Sequence, residues 1–170
     1  AAMTPLGKSL RQTLGGGFSL ARPEISRHRV SRDGARKWLL RFADGNEAET
    51  VYIPEDDRGA LCLSTQVGCT MTCAFCHTGT QLLVRDLSAA EIVGQVMVAR
   101  DACGEWPSQK AGRMISNIVV MGMGEPLFNY DNVAAALKII MADDGIGISR
   151  RRITLSTCGV APMIRRCGEE

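Results

Sequence analysis

From residue 60 onward the chain repeats one rhythm: an apolar stretch short enough for a strand, a loop, then a run with helical spacing. The apolar stretches are "ALCLSTQV" (60–67), "ISNIVVMGM" (115–123) and "RRITLST" (151–157). The middle one is apolar almost without interruption, the pattern of a parallel strand buried on both faces. "LSAAEIVGQVMVARDA" (87–102) carries apolar residues at 92, 93, 96 and 99, so the spacing predicts a helix. Ser88 and Glu91 form a capping box that fixes where it starts. "YDNVAAALKIIMA" (130–142) predicts a second helix with Asp131 at its N-cap, and "APMIRR" (161–166) begins a third. This alternation dictates a parallel βα series, an α/β fold. Chemistry in such folds gathers at the C-terminal ends of the strands. The cysteine-rich loop at 68–81, "GMGEP" (122–126) and "STCG" (156–159) all fall there. Three βα units do not close a barrel, so the expectation is a partial parallel barrel whose sheet is completed by further sequence.

Upstream, "TPLGKSLRQTL" (4–14) predicts a short helix and "LGGGFS" a break after it. "KWLLRF" (37–42) and "EAETVYIP" (47–54) flank "ADGN", whose Asp-Gly favours a tight turn, so a β-hairpin is expected. With "PEDDRG" (54–59) as a polar connector, the chain divides into a small α+β flanking region, 1–58, and a core region, 59–170. Residues 1–41 hold nine Lys/Arg against two acids, in a chain whose net charge is +2. A phosphate-facing patch and a solvated surface both satisfy that charge. At 170 residues, 45% hydrophobic and 22% charged, the composition is that of one globular domain. No apolar run approaches the roughly 20 residues of a membrane span. No charged-then-apolar leader is visible, so the cytoplasm is the expected compartment. The Ala-Ala start and the stop in "RRCGEE", with a helix under way, are expected of a fragment cut at both ends.

Seven cysteines (62, 69, 73, 76, 103, 158, 167) are odd in number and crowded at the centre, which points to metal or catalysis rather than a disulfide framework. "GCTMTCAFCHTGTQ" (68–81) sets Cys69, Cys73 and Cys76 in a C-x-x-x-C-x-x-C spacing. Thiolates bind zinc and iron–sulfur clusters alike, and spacing separates the two poorly. A structural zinc site wants a fourth ligand. His77 is adjacent, but consecutive side chains in extended backbone diverge. The open alternative is a 4Fe–4S cluster with one iron lacking a protein ligand. In "GMGEP", Gly124 lets backbone approach a ligand closely, and Glu125 can accept a hydrogen bond from an ammonium group. Ser156, ending the third strand, offers a hydroxyl; a strand-end turn is the ordinary reading of both motifs.

The cysteine spacing, with Phe75 just before the last cysteine, resembles the signature of radical S-adenosylmethionine (SAM) enzymes. That resemblance implies a radical SAM barrel, a 4Fe–4S cluster on Cys69, Cys73 and Cys76, and SAM on the free iron. It also implies Gly124 and Glu125 near the SAM amine, and Ser156 near its ribose or carboxylate. "VYIPEDDRGALCLSTQVGC", "RDLSAAEIVGQV", "NIVVMGMGEPLFNYDNV" and "RRITLSTCGVAP" are more specific: they resemble the RlmN-type dual-specificity RNA methyltransferases, the group that also contains Cfr. "HTGTQ" at 77–81 stands where other members have a serine-led variant. This likeness implies methylation of carbon 2 of adenine in 23S rRNA and tRNA, by way of a methylated protein cysteine. The enzyme–RNA adduct is then released when a second cysteine forms a disulfide. Cys62, seven residues before Cys69, matches that resolving cysteine. Glu49, thirteen residues before Cys62, matches the base that takes the proton from adenine carbon 2.

The family's methyl-carrying cysteine lies beyond residue 170, so the chain alone is not expected to complete turnover. Cys103, Cys158 and Cys167 match no family motif and are expected to be incidental. Lys8, Arg11, Arg27, Arg29, Arg32, Arg36 and Lys37 become candidates for RNA phosphates. Arg150, Arg151 and Arg152 are expected away from the chemistry. The implied partners are 23S rRNA, tRNA and an electron donor such as a flavodoxin-type reductant, with no membrane, for a monomer. Two alternatives stay open: a radical SAM enzyme with another substrate, and a zinc-stabilised, non-catalytic nucleic-acid-binding module.

Overall fold

The three apolar stretches lie side by side. The computed structural model describes residues 7–56, 58–106 and 112–169. Its elements are α1 (Lys8–Gly17), β1 (Glu24–Val30), β2 (Arg36–Arg41), β3 (Glu47–Pro54), β4 (Gly59–Cys62), β5 (Gln66–Val67), β6 (Arg85–Asp86), α2 (Ala89–Cys103), β7 (Asn117–Val120), α3 (Tyr130–Met141), β8 (Ile153–Leu155) and α4 (Ala161–Glu169). β4 pairs with β7 and β7 with β8, both in parallel, and the helices α2 and α3 make the crossovers. This is the expected partial βα barrel.

The predicted hairpin is β2–β3, closed by Phe42 N–H donating to Asn46 C=O at 2.9 Å, with Gly45 at φ +84°. β3 pairs antiparallel with β4, so hairpin and βα series share one six-stranded sheet ordered β1-β2-β3-β4-β7-β8. Its outer strand, β1, pairs antiparallel with β2. The sequence hides it: "EISRHRV" is polar and exposed at nearly every position, so no apolar alternation marks it.

Strand alternation sorts the sheet into two faces. Ala48, Thr50, Tyr52, Leu61, Ile118 and Val120 are buried, in a core with Ile92, Val96 and Ala99 of α2 and Val133, Ala136 and Ile140 of α3. Each large aliphatic side chain buried here contributes roughly 1.5–3 kcal/mol. Glu49, Val51, Cys62 and Val119 lie on the other face and stay partly exposed.

Four local expectations need correction. The stretch at 60–67 is two short strands, because buried Gln95 of α2 takes both backbone groups of Ser64: Oε1 accepts its N–H at 2.9 Å, and Nε2 donates to its C=O at 2.8 Å. Ser64 therefore leaves the ladder. Asn129, not Asp131, stands at the α3 N-cap, and Asp131 instead pairs with Arg166 of α4. α1 continues through Gly15–Gly17, where the sequence predicts a break, and buries no residue. β8 begins only at Ile153, since Arg150–Arg152 form a 3-10 turn. The capping box is present as predicted, with Glu91 N–H donating to Ser88 Oγ and Ser88 N–H to Glu91 Oε2.

Candidate functional site

β4, β7 and β8 end on one edge of the sheet, and buried polar side chains tie together the loops that leave it. Gln66, in β5, is buried; its Oε1 accepts the Glu125 N–H at 3.0 Å and the Thr70 N–H at 3.2 Å. Its Nε2 donates to Asp86 at 2.7 Å. One amide thus fixes the start of the cysteine loop to the loop after β7. Gly124 makes that contact possible. Its φ is +98°, and an added Cβ would lie 2.6 Å from Gln66 Cβ, so no other residue fits without displacement.

Glu125 is buried at 2% exposure. Its Oε1 accepts the Leu127 N–H at 3.0 Å and the Thr157 hydroxyl at 2.7 Å, and its Oε2 accepts the Cys158 N–H at 2.7 Å. A carboxylate offers about four acceptor positions. Three are filled by the protein, and the remaining one is on Oε2. The side chain therefore clamps the loop after β7 to the loop after β8. Ser156 closes β8 with its N–H on Val120 C=O at 3.3 Å, and its side chain is exposed on the rim.

Cys69, Cys73 and Cys76 are all partly buried. Cys76 N–H donates to Cys73 C=O at 3.0 Å, which folds the loop back on itself, while Phe75 stands 93% exposed. His77 is exposed and its backbone is helical rather than extended, contrary to the geometry assumed for it above. Cys73 and Cys158 bring their sulfurs within 3.5 Å. The Cys158 thiol is pushed up to about 11, first by the hydrogen bond with Cys73 and then by desolvation. Among the described residues no three His, Cys, Asp or Glu side chains converge closely enough to hold a single metal ion. A cubane spreads its thiolates over separate irons, so three soft donors on one partly exposed loop fit it.

Val51 faces Cys62 across β3–β4, and Glu49 lies two residues along β3, so Glu49 and Cys62 share the open face. Glu49 forms an ion pair with Lys37 at 2.7 Å. Its backbone reaches the same edge: the N–H donates to Met123 Sδ at 3.4 Å and the C=O accepts from Ser64 Oγ at 2.6 Å. Burial pushes the Cys62 thiol up, only partly offset by a backbone hydrogen bond from Met121.

The sequence reading missed Gln66, Thr157 and Asn129, whose Nδ2 donates to Thr65 C=O at 2.8 Å and Leu87 C=O at 2.7 Å. The available signal was "STQ" inside an apolar strand. Buried polar side chains demand partners, and these long-range partners are 20 to 64 residues away.

Comparison with known proteins agrees with this geometry. A model of the radical SAM superfamily matches residues 63–169. A dual-specificity RNA methyltransferase RlmN from Rhodospirillum rubrum is 69% identical over 171 residues, covering 100% of this chain and 40% of that protein. Its counterpart from Paramagnetospirillum magneticum is 64% identical, covering 99% of this chain and 38% of that one. The crystal structure of a radical SAM methyltransferase from Sphaerobacter thermophilus superposes with a TM-score of 0.87 at 41% identity, over 99% of this chain and 48% of that chain. The chain thus spans about 40% of the length of these curated relatives.

Proposed function

This chain belongs to the radical SAM superfamily, and on that premise we propose that it is the cluster-bearing part of a methyltransferase acting on carbon 2 of adenine in 23S rRNA and tRNA. The observation that carries the reading is the connected path Gln66–Glu125–Cys158–Cys73, which joins all three strand-end loops beside the face shared by Glu49 and Cys62. Cys69, Cys73 and Cys76 would hold a 4Fe–4S cluster, and SAM would occupy its remaining iron. When bound, cluster and SAM supply the one-electron chemistry suited to a ring carbon that offers no lone pair.

The protein's own residues have distinct tasks in this reading. The unfilled acceptor position on Glu125 Oε2 would accept an N–H from the SAM ammonium, with the backbone at Gly124 beside it. Ser156, exposed on the rim, would offer its hydroxyl to the ribose or carboxylate. Glu49 accepts the proton from adenine carbon 2; its partner Lys37 is 45% exposed and can swing to a phosphate as RNA arrives. Arg29 faces Lys37 across β1–β2, and Arg27 faces Leu39, which faces Glu49 across β2–β3, so these cations lie on the Glu49 face. Arg36, also counted among the candidate cations, instead donates to Ala102 C=O at the end of α2. Cys62 releases the covalent adduct, and burial of its thiol makes that step slow at low pH. A flavodoxin-type reductant delivers the electron, and the protein works as a monomer in the cytoplasm.

The test is methylation by the protein extended to its natural end. Supplied with reductant, SAM and an RNA fragment containing the target adenine, it should yield 2-methyladenosine in nucleoside digests read by mass spectrometry. Methylation at another atom, or none while SAM is cleaved, would assign this scaffold to a different substrate.

A further inference from the structure

We propose that Cys73 and Cys158 form a reversible disulfide in the cluster-free chain, and that this bond keeps iron out of the cysteine loop until it is reduced. The inference rests on reading Cys73 as a cluster ligand. The two residues are 85 apart in sequence, yet their sulfurs stand 3.5 Å apart. About 1.5 Å of side-chain movement would reach the roughly 2.05 Å of a disulfide. Among the described residues no other two cysteine sulfurs are in hydrogen-bonding contact.

Both backbones are held in place. The Cys158 N–H is bound to Glu125 at 2.7 Å, and the Thr157 hydroxyl bonds the same carboxylate and accepts the Gly159 N–H at 3.1 Å. Around Cys73, Cys76 N–H bonds its C=O at 3.0 Å, and Gly79 packs so closely that an added Cβ would lie 2.8 Å from that oxygen. The thiols meet because two anchored loops deliver them. Cys158 is exposed, so a small disulfide can reach it.

The oxidant is a low-molecular-weight disulfide such as oxidised glutathione. One protein thiol displaces a glutathione and forms a mixed disulfide. The second protein thiol then displaces the other glutathione. The Cys73–Cys158 bond forms, the glutathione S–S bond breaks, and both thiol hydrogens leave on two reduced glutathiones. A dithiol reverses the exchange. While the bond persists Cys73 offers no thiolate to iron, and its sulfur is kept off the oxidation ladder toward sulfinic acid. The site thus ties cluster loading to a reduced thiol pool, and Cys158 has a role the sequence reading did not give it.

The full chain, purified anaerobically without cluster, is treated with oxidised glutathione, alkylated and digested with trypsin without reduction. Cys158 is alone in peptide 153–165, whereas Cys62, Cys69, Cys73 and Cys76 share peptide 59–85, so fragmentation of the linked pair assigns the partner. The expected product is the Cys73–Cys158 link. A link from Cys158 to another cysteine, or glutathione left on Cys158 alone, overturns the proposal. In parallel, oxidised parent, C158S and C158A, each checked by circular dichroism, receive ferrous iron and sulfide with and without prior dithiothreitol. The parent should lose iron uptake until reduced, and both variants should load without reduction. Undiminished loading of parent carrying the mapped link refutes the exclusion of iron. If the link maps but no reduced protein takes up iron, the cluster reading has failed and the disulfide stands by itself.

Discussion

Replacing Glu125 by glutamine preserves volume and removes one acceptor. The amide oxygen can still accept from Leu127 N–H and the Thr157 hydroxyl, but the new NH2 then faces the Cys158 N–H, donor against donor. One charge-assisted bond is lost and a donor is left unsatisfied, at a cost of about 2 kcal/mol. Alanine removes both acceptor oxygens, with all three hydrogen bonds, and opens a cavity that water partly fills, costing about 4 kcal/mol. For a chain of this size each kcal/mol shifts Tm by about 3 °C, so the shifts should be about 6 °C and 12 °C. Urea unfolding followed by fluorescence reads this directly, because Trp38 sits in the core at 1% exposure. Combining the alanine change with Thr157→Val should cost less than the sum of the single changes, since both remove the Thr157 hydroxyl bond to this carboxylate. If Glu125→Ala unfolds within 0.5 kcal/mol of the parent, a threshold of the order seen for neutral surface substitutions, the carboxylate does not clamp the loops.

Three further outcomes are expected. Gly124→Ala combines a strained positive φ with a 2.6 Å clash on Gln66, and should lower the urea midpoint by the equivalent of about 2–4 kcal/mol; a neutral result would contradict the packing of the two loops. For Glu91, burial alone would raise the carboxyl, but Arg85 and Ser88 outweigh it and hold it low; Asp44 is held low chiefly by the same Arg85. The stability from this cluster is therefore present above the ordinary carboxylate range near about pH 4 and is lost as pH falls through the depressed values, so the Tm of the parent should fall more steeply on acidification than that of Arg85→Ala. In the protein extended to its natural end, Cys62→Ala should trap a covalent enzyme–RNA adduct on denaturing gels, and release by the parent should quicken as pH rises past the ordinary thiol range near about 8.5; clean release by the variant would remove Cys62 from the chemistry.

The parts of the fold legible in the sequence were those that local spacing encodes. The apolar run at 118–120, the helical spacing of 92, 93, 96 and 99, and the Ser88–Glu91 box each specify one element without reference to distant residues. The Asp-Gly turn did the same for the hairpin. β1 escaped because its pairing with β2 buries almost none of its side chains, so it leaves no hydrophobic period. The break after Cys62 escaped because it is imposed by Gln95, 31 residues from Ser64. At the site, the sequence indicated which loops meet but not what holds them. Gln66 reads as part of an apolar strand and Glu125 as an acceptor for a ligand ammonium, and only the folded chain shows one bonding the backbone of the other. Cys158, set aside as incidental, lies against a proposed cluster ligand for the same reason: contact across 85 residues has no local signature.

The central claim is that Cys69, Cys73 and Cys76 present a cluster with one iron left for SAM, and anaerobic reconstitution measures it most directly. Iron, acid-labile sulfide and zinc are determined on the parent and on Cys69→Ala, with electron paramagnetic resonance of the reduced protein before and after SAM is added. The account predicts about four irons and four sulfides per chain in the parent, a signal that changes with SAM, and no full cluster in the variant. One tightly held zinc in a colourless parent, or a complete cluster in Cys69→Ala, would contradict it.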